Sequence, residues 1–111
     1  MDVLKLNDEI EFDPERRVRK ALFKSPGVIA EMVCYEPGQD TVPHHHPKQD
    51  EIFYVVEGRG KILIEDQEIA VEPTSMVFVP AMKRHSVSAD ADSRLVIIFV
   101  KNAPPPRRPK A

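Results

Sequence analysis

Apolar and polar residues alternate along this chain in short bursts, and residues that turn the backbone separate one burst from the next. Residues 16–24 read RRVRKALFK and residues 28–36 read VIAEMVCYE, divided by Ser25, Pro26 and Gly27. Runs of this length that carry Val, Ile, Phe and Tyr between Gly, Pro and Ser are strand signals. Glu36, Pro37 and Gly38 form the next turn and lead into a histidine-bearing strand. Further strands are expected over residues 51–56, 61–64, 69–72, 75–79, 85–89 and 94–101, with a Gly58, Arg59, Gly60 turn and a hairpin-like connection through Glu65, Asp66, Gln67 and Glu68. No stretch keeps the period of an amphipathic helix. Many short strands between regular turns predict an all-β sandwich or barrel. Residues 1–15 are acidic and weakly patterned and read as an arm or short strand lying on the body. Residues 16–101 read as the folded domain, and residues 102–111 (NAPPPRRPKA) as a proline-rich, disordered tail.

Two strands are more apolar than a water-facing sheet requires. Residues 95–100 do not alternate at all, and Ile52, Tyr54 and Val56 make the face opposite Glu51 apolar too. Both faces of these strands should therefore be covered. A second copy, giving a homodimer, is the expected cover; the N-terminal arm is the alternative.

Composition narrows the classes. A chain of 111 residues with 41% hydrophobic and 31% charged residues reads as one folded domain rather than a disordered segment. A net charge of −2 provides no field to attract nucleic acid or an anionic membrane. No apolar run approaches the length of about 18 residues that a membrane helix needs, and the first ten residues lack a signal-peptide core, so a cytoplasmic protein is expected. The single cysteine, Cys34, cannot form an internal disulfide, which agrees with a reducing compartment, and it reads as a small buried hydrophobe rather than a nucleophile.

The chemistry concentrates in GQDTVPHHHPKQDEIFYVVEG, residues 38–58. Imidazole and carboxylate together are ligands for divalent transition metals. In a strand His44 and His46 point one way and His45 the other, and the Cα atoms of the first two lie about 7 Å apart, close enough for their rings to meet at one ion. Pro47 keeps His46 extended, as Pro43 does Val42. Glu51 has the wrong parity for an unbroken strand, so the chain must bend within Pro47, Lys48, Gln49 and Asp50, after which Glu51, Phe53 and Val55 share a face. Gln49 and Asp50 are rival oxygen ligands, with Gln49 the better candidate for a contact just outside the ligand set. The fourth histidine, His85, follows a turn made by Pro80, Lys83 and Arg84.

Gly38, His44, His46, Glu51 and Gly58 stand at the spacing of the first cupin motif, and Pro80 with His85 resembles the core of the second. Where that second motif has two glycines and an asparagine this chain has Thr74, Met82 and Ala89; the proline and histidine remain. The resemblance covers roughly residues 27–101. It implies a double-stranded β-helix or jelly-roll barrel, often a dimer, with His44, His46, Glu51 and His85 holding iron, manganese, nickel, copper or zinc. It also implies dioxygenase, isomerase or decarboxylase chemistry on a small organic molecule inside the barrel, or else a binding or sensor module that only holds such a molecule. Phe53, Val55, Met76, Phe78, Met82 and Val87 are expected to line an apolar pocket. Beyond Glu51 itself, Tyr54 and Tyr35 are the candidate bases, and Lys83 and Arg84 are candidate contacts for an anionic substrate.

Overall fold

The computed structural model describes residues 2–44 and 48–103. Its elements in chain order are α1 (Leu6–Glu9), β1 (Val18–Lys24), β2 (Val28–Tyr35), β3 (Asp40–His44), β4 (Glu51–Gly58), β5 (Gly60–Ile64), β6 (Gln67–Val71), β7 (Met76–Val79), β8 (His85–Ala89) and β9 (Leu95–Asn102). The strands make two antiparallel sheets, one in the order β1-β2-β9-β4-β7 and one in the order β3-β8-β5-β6. This is the jelly-roll architecture expected of the alternation and the resemblance.

Strand periodicity explains where the core lies. Val33 and Tyr35 of β2, Phe53 and Val55 of β4, and Leu95 and Ile97 of β9 send every second side chain inward, where they meet Ile62, Val71 and Val87 from the other sheet. Full burial of each such side chain contributes about 1.5–3 kcal/mol. The intervening residues of β2 and β9 form a second apolar cluster on the outer face: Met32, Cys34, Val96 and Ile98. The arm covers it. Leu6, Ile10 and Phe12 pack against this cluster, the Arg94 guanidinium stacks 4.1 Å from the centre of the Phe12 ring, and the Gln39 side-chain amide donates to the Asp13 carbonyl at 2.9 Å. The unbroken apolar run of β9 thus has a cover within its own chain, and the arm carries one helical turn that periodicity did not reveal.

Two turns bear on the site. At Gly58 φ is +83°, and a Cβ there would lie 1.7 Å from the Arg94 carbonyl oxygen, so the β4–β5 turn beside β9 admits only glycine. Thr74 and Met82, which replace glycines of the second motif, nevertheless hold φ values of 73° and 75°.

The β4–β7 register corrects part of the pocket expected from sequence. Glu51 pairs with Val79 and Phe53 with Val77, so these four face inward; Ile52 pairs with Phe78 and Tyr54 with Met76, which face out. Met76 and Phe78 are 69% and 59% exposed and line nothing. β9 also runs through Asn102, one residue into the segment assigned to the tail; residues 104–111 lie outside the described residues. Among the described residues no helix is long and apolar enough to cross a membrane.

Candidate metal centre and pocket

His44 and His85 meet because they are partners in the β3–β8 ladder. Thr41 pairs with Val87 three residues earlier, so β3 carries one residue more than β8 between the two pairs. That bulge turns both Thr41 and His44 toward the interior, which strict alternation would not. The two imidazole centroids are 4.4 Å apart. Glu51, the first residue of β4, comes from the opposite sheet, and its Oε1 lies 3.7 Å from His85 Nε2. Both Glu51 and His85 are buried.

The bend before Glu51 is present and fastened. The Asn102 side chain accepts from the Asp50 amide at 2.8 Å and donates to the Lys48 carbonyl at 3.1 Å. The Gln49 side chain donates to the Asn102 carbonyl at 2.8 Å, and the Asp50 carboxylate accepts from the Ala81 amide at 2.8 Å. Gln49 and Asp50 therefore pin the loop to β9 and to the turn that precedes His85, and neither lines the pocket.

The donor set fits a metal ion. His44 Nδ1 lies 3.0 Å from the Val42 carbonyl and His85 Nδ1 lies 2.9 Å from the Lys83 carbonyl. A carbonyl can only accept, so each Nδ1 carries a proton, and in the neutral ring that leaves the lone pair on Nε2. Backbone carbonyls fix ligating histidines in this way, setting ring orientation and tautomer together. The ligand atoms of His44, Glu51 and His85 all lie within 4.8 Å of one another. With bonds of about 2.0–2.2 Å, small side-chain rotations bring all three onto one ion. His45 and His46 lie outside the described residues.

A pocket of about 230 Å³ opens beside these ligands. Its walls include Val33, Thr41, Val87 and Phe99, with His44 and Glu51 at the inner end. Its mouth carries charges that sequence reading passed over: Arg17, Arg19, Glu31 and Lys101. Arg19 donates to both oxygens of Glu31, at 2.6 and 3.0 Å, and Lys101 reaches the same carboxylate at 3.2 Å. The Arg19 hydrogen bond holds the Glu31 carboxyl below the usual carboxylate range, against the opposing effect of burial, and Lys101 lowers it further.

The other expected contacts divide. Phe53 is fully buried, with its ring centre 5.5 Å from that of His85, and forms the floor of the site. Tyr54 belongs to the outer cluster under the arm. Met82 is 62% exposed, and the exposed Arg84 presents its carbonyl to the Glu65 amide at 2.8 Å. Tyr35 is buried, shares a 2.7 Å hydrogen bond with Thr41, and has its phenol pushed up to about 12 by burial, so it stays neutral at physiological pH. Neither tyrosine is a base for the pocket. Burial likewise raises the Cys34 thiol, in keeping with a packing role. The missed cations had a signal, since Arg17, just before β1, and Arg19 within it share one parity, while Lys101 ends the apolar run of β9.

The cupin domain family (Cupin_2) matches residues 31–101. The chain is a cupin. This cupin superposes on the crystal structure of TT1209 from Thermus thermophilus with a TM-score of 0.87 at 25% identity, covering 96% of this chain and 100% of that one. Tetracenomycin polyketide synthase protein TcmJ of Streptomyces glaucescens is 28% identical to it over 72 residues, 63% of this chain and 48% of TcmJ. A 5-nitrosalicylic acid 1,2-dioxygenase of Bradyrhizobium sp. is 22% identical over 81 residues, 73% of this chain and 39% of that protein. The cupin described here thus spans about half or less of the length of these two curated relatives.

Proposed function

We propose that this cupin is a metal-dependent enzyme in which His44, His46, Glu51 and His85 hold one divalent transition ion, iron, manganese, nickel, copper or zinc, beside a small organic substrate. The observation that carries the reading is the meeting of His44, Glu51 and His85, whose ligand atoms lie within 4.8 Å of one another while both histidine Nδ1 atoms face backbone carbonyls. Two imidazoles and a carboxylate at this spacing are a donor set that suits a divalent transition ion. His46 enters by the alternation of residues 44 and 46 and by the motif spacing.

A bound ion supplies Lewis-acid or redox chemistry. The chain's own residues then divide the remaining work. Val33, Val87 and Phe99 exclude water from the inner pocket, and Phe53 buttresses the His85 ring. Thr41, held by Tyr35, offers a hydroxyl to the substrate. Among the described lining residues outside the ligand set, Glu31 is ion-paired and no side chain stands poised as a general base, which favours dioxygenase, isomerase or decarboxylase chemistry carried by the ion. The same observation favours, as the second reading, a module that only holds its ligand. The Bradyrhizobium relative is named a dioxygenase, which supports the first.

Elemental analysis of the purified protein tests the ligand set. Near-stoichiometric metal is expected in wild type and in His45→Ala, with losses of tenfold or more in His44→Ala and His85→Ala. Equal metal in all of these proteins would refute the ligand assignment. Oxygen uptake with candidate substrates then separates the two readings: tight ligand binding without turnover under any metal selects the holding module.

A further inference from the structure

The pocket mouth has a composition that apolar packing does not explain. β9 would be closed more cheaply by an apolar residue than by Lys101, whose side chain is 12% exposed, and the Glu31 side chain beside it is 13% exposed. Lys101 is the ladder partner of Glu51, so the ammonium stands one strand away from the ligand carboxylate on the same face. Arg19 and Arg17 extend the row to the rim. The Arg17 side chain makes one hydrogen bond, at 3.3 Å to the Asp40 carbonyl, and among the described residues no carboxylate lies within ion-pair distance of it. Arg19 and Lys101 therefore share one carboxylate while Arg17 lines the same pocket, so three cations stand at the mouth against the single charge of Glu31.

We propose that this mouth is a carboxylate subsite, in which Arg17, Arg19 and Lys101 take the carboxylate of a small organic acid whose other end reaches toward His44, Glu51 and His85. The proposal rests on the metal-site reading for the inner end only. Arg19 already holds Glu31 through two parallel N–H···O bonds, the geometry by which guanidinium recognises a carboxylate, so Glu31 occupies part of the place a ligand's carboxylate would take. The size of the cavity sets the class of acid. About 230 Å³ lies below the range of roughly 300–1,000 Å³ typical of drug-sized ligands, which suits an acid of a few carbons or one aromatic ring. The apolar walls at Val33, Val87 and Phe99 suit the hydrocarbon part of such an acid.

The test is an NMR titration of the full chain, zinc-loaded and chelator-stripped, with acetate, malonate and benzoate, each against its neutral amide, and with inorganic phosphate. At least one acid should bind roughly tenfold or more tightly than its amide, with shifts centred on residues 17–19 and 99–101. Arg17→Gln and Lys101→Met should each weaken that acid by roughly tenfold, whereas Glu31→Gln should tighten it by removing the internal competitor. Arg17 is exposed, so its substitution leaves the fold intact even if Lys101→Met does not. Acids bound no better than their amides, an unaffected Arg17→Gln variant, or a preference for phosphate would each overturn the proposal. Acid binding that survives chelation keeps the subsite even if the metal reading fails. Stoichiometric zinc without acid preference removes the subsite and leaves the metal reading standing.

Discussion

Thr74 and Met82 show at single-residue scale what the fold demands of its turns. Both hold left-handed backbone with φ above 70°, and β-branched threonine is the poorer fit because its Cβ substituents crowd the backbone there. Thr74→Gly should raise stability by about 0.5–1 kcal/mol, the relief of strain less the chain entropy glycine adds to the unfolded state, and Met82→Gly by less. Gly58→Ala is the opposite case, since its Cβ would meet the Arg94 backbone, and it should cost about 2 kcal/mol or more. Urea midpoints at constant slope check all three. Glu31 carries a pH dependence whose sign follows from its lowered pKa. A carboxyl that ionises more easily folded than unfolded adds stability above its unfolded value, near 4.5, and loses it as pH falls through the lower folded value. The stability gap between wild type and Glu31→Gln should therefore be full at pH 6 and close below about pH 4.5 in thermal melts; a gap unchanged at acid pH would show that the ion pair does not set it.

At the scale of elements, the site depends on how the 48–50 loop is tied down. Asn102 bonds to Lys48 and Asp50 with its side chain and to Gln49 with its carbonyl, so the end of β9 positions the start of β4 and with it Glu51. Asn102→Ala should lower stability by about 1–2 kcal/mol and weaken zinc by roughly tenfold, as losses just outside a ligand set do. Unchanged zinc affinity by competition with a chromogenic chelator would sever this link. Asn102 also marks where sequence reading stopped. Glu51, Phe53 and Val55 on one face, and a bend before them, followed from local spacing. The grouping of Arg17, Arg19 and Lys101 did not, because their local parity says nothing of which strands adjoin, and they become neighbours only through the order β1-β2-β9-β4, which joins both ends of the chain. The misplacement of Met76 and Phe78 has a different cause: residues 76–79 are apolar at every position, so their phase against β4 was invisible until the register was known. The bulge at residues 41–44 set the orientation of His44, and period-two counting passes over it.

At the scale of the molecule, the five-stranded sheet has two faces with different covers. Its inner face closes on the second sheet, and the β2–β9 part of its outer face lies under the arm. Among the described residues nothing covers the β4–β7 part: Ile52, Met76 and Phe78 are 41%, 69% and 59% exposed and adjoin through the Ile52–Phe78 pair. β7 is also the edge strand of that sheet among the described residues. An apolar strip beside an open edge favours self-association, because the same contact buries side chains and pairs the edge. The homodimer expected from sequence should therefore form through this strip and not over the β2–β9 face that the arm occupies. Light scattering after gel filtration should show a dimer for wild type at about 100 μM, a concentration at which micromolar association is nearly complete. Phe78→Glu places a charge on the strip and leaves the inward residues Val77 and Val79 untouched, so it should give a folded monomer with unchanged metal content. A dimer that persists in Phe78→Glu would move the interface elsewhere, and a wild-type monomer at that concentration would leave the strip as ordinary exposed surface.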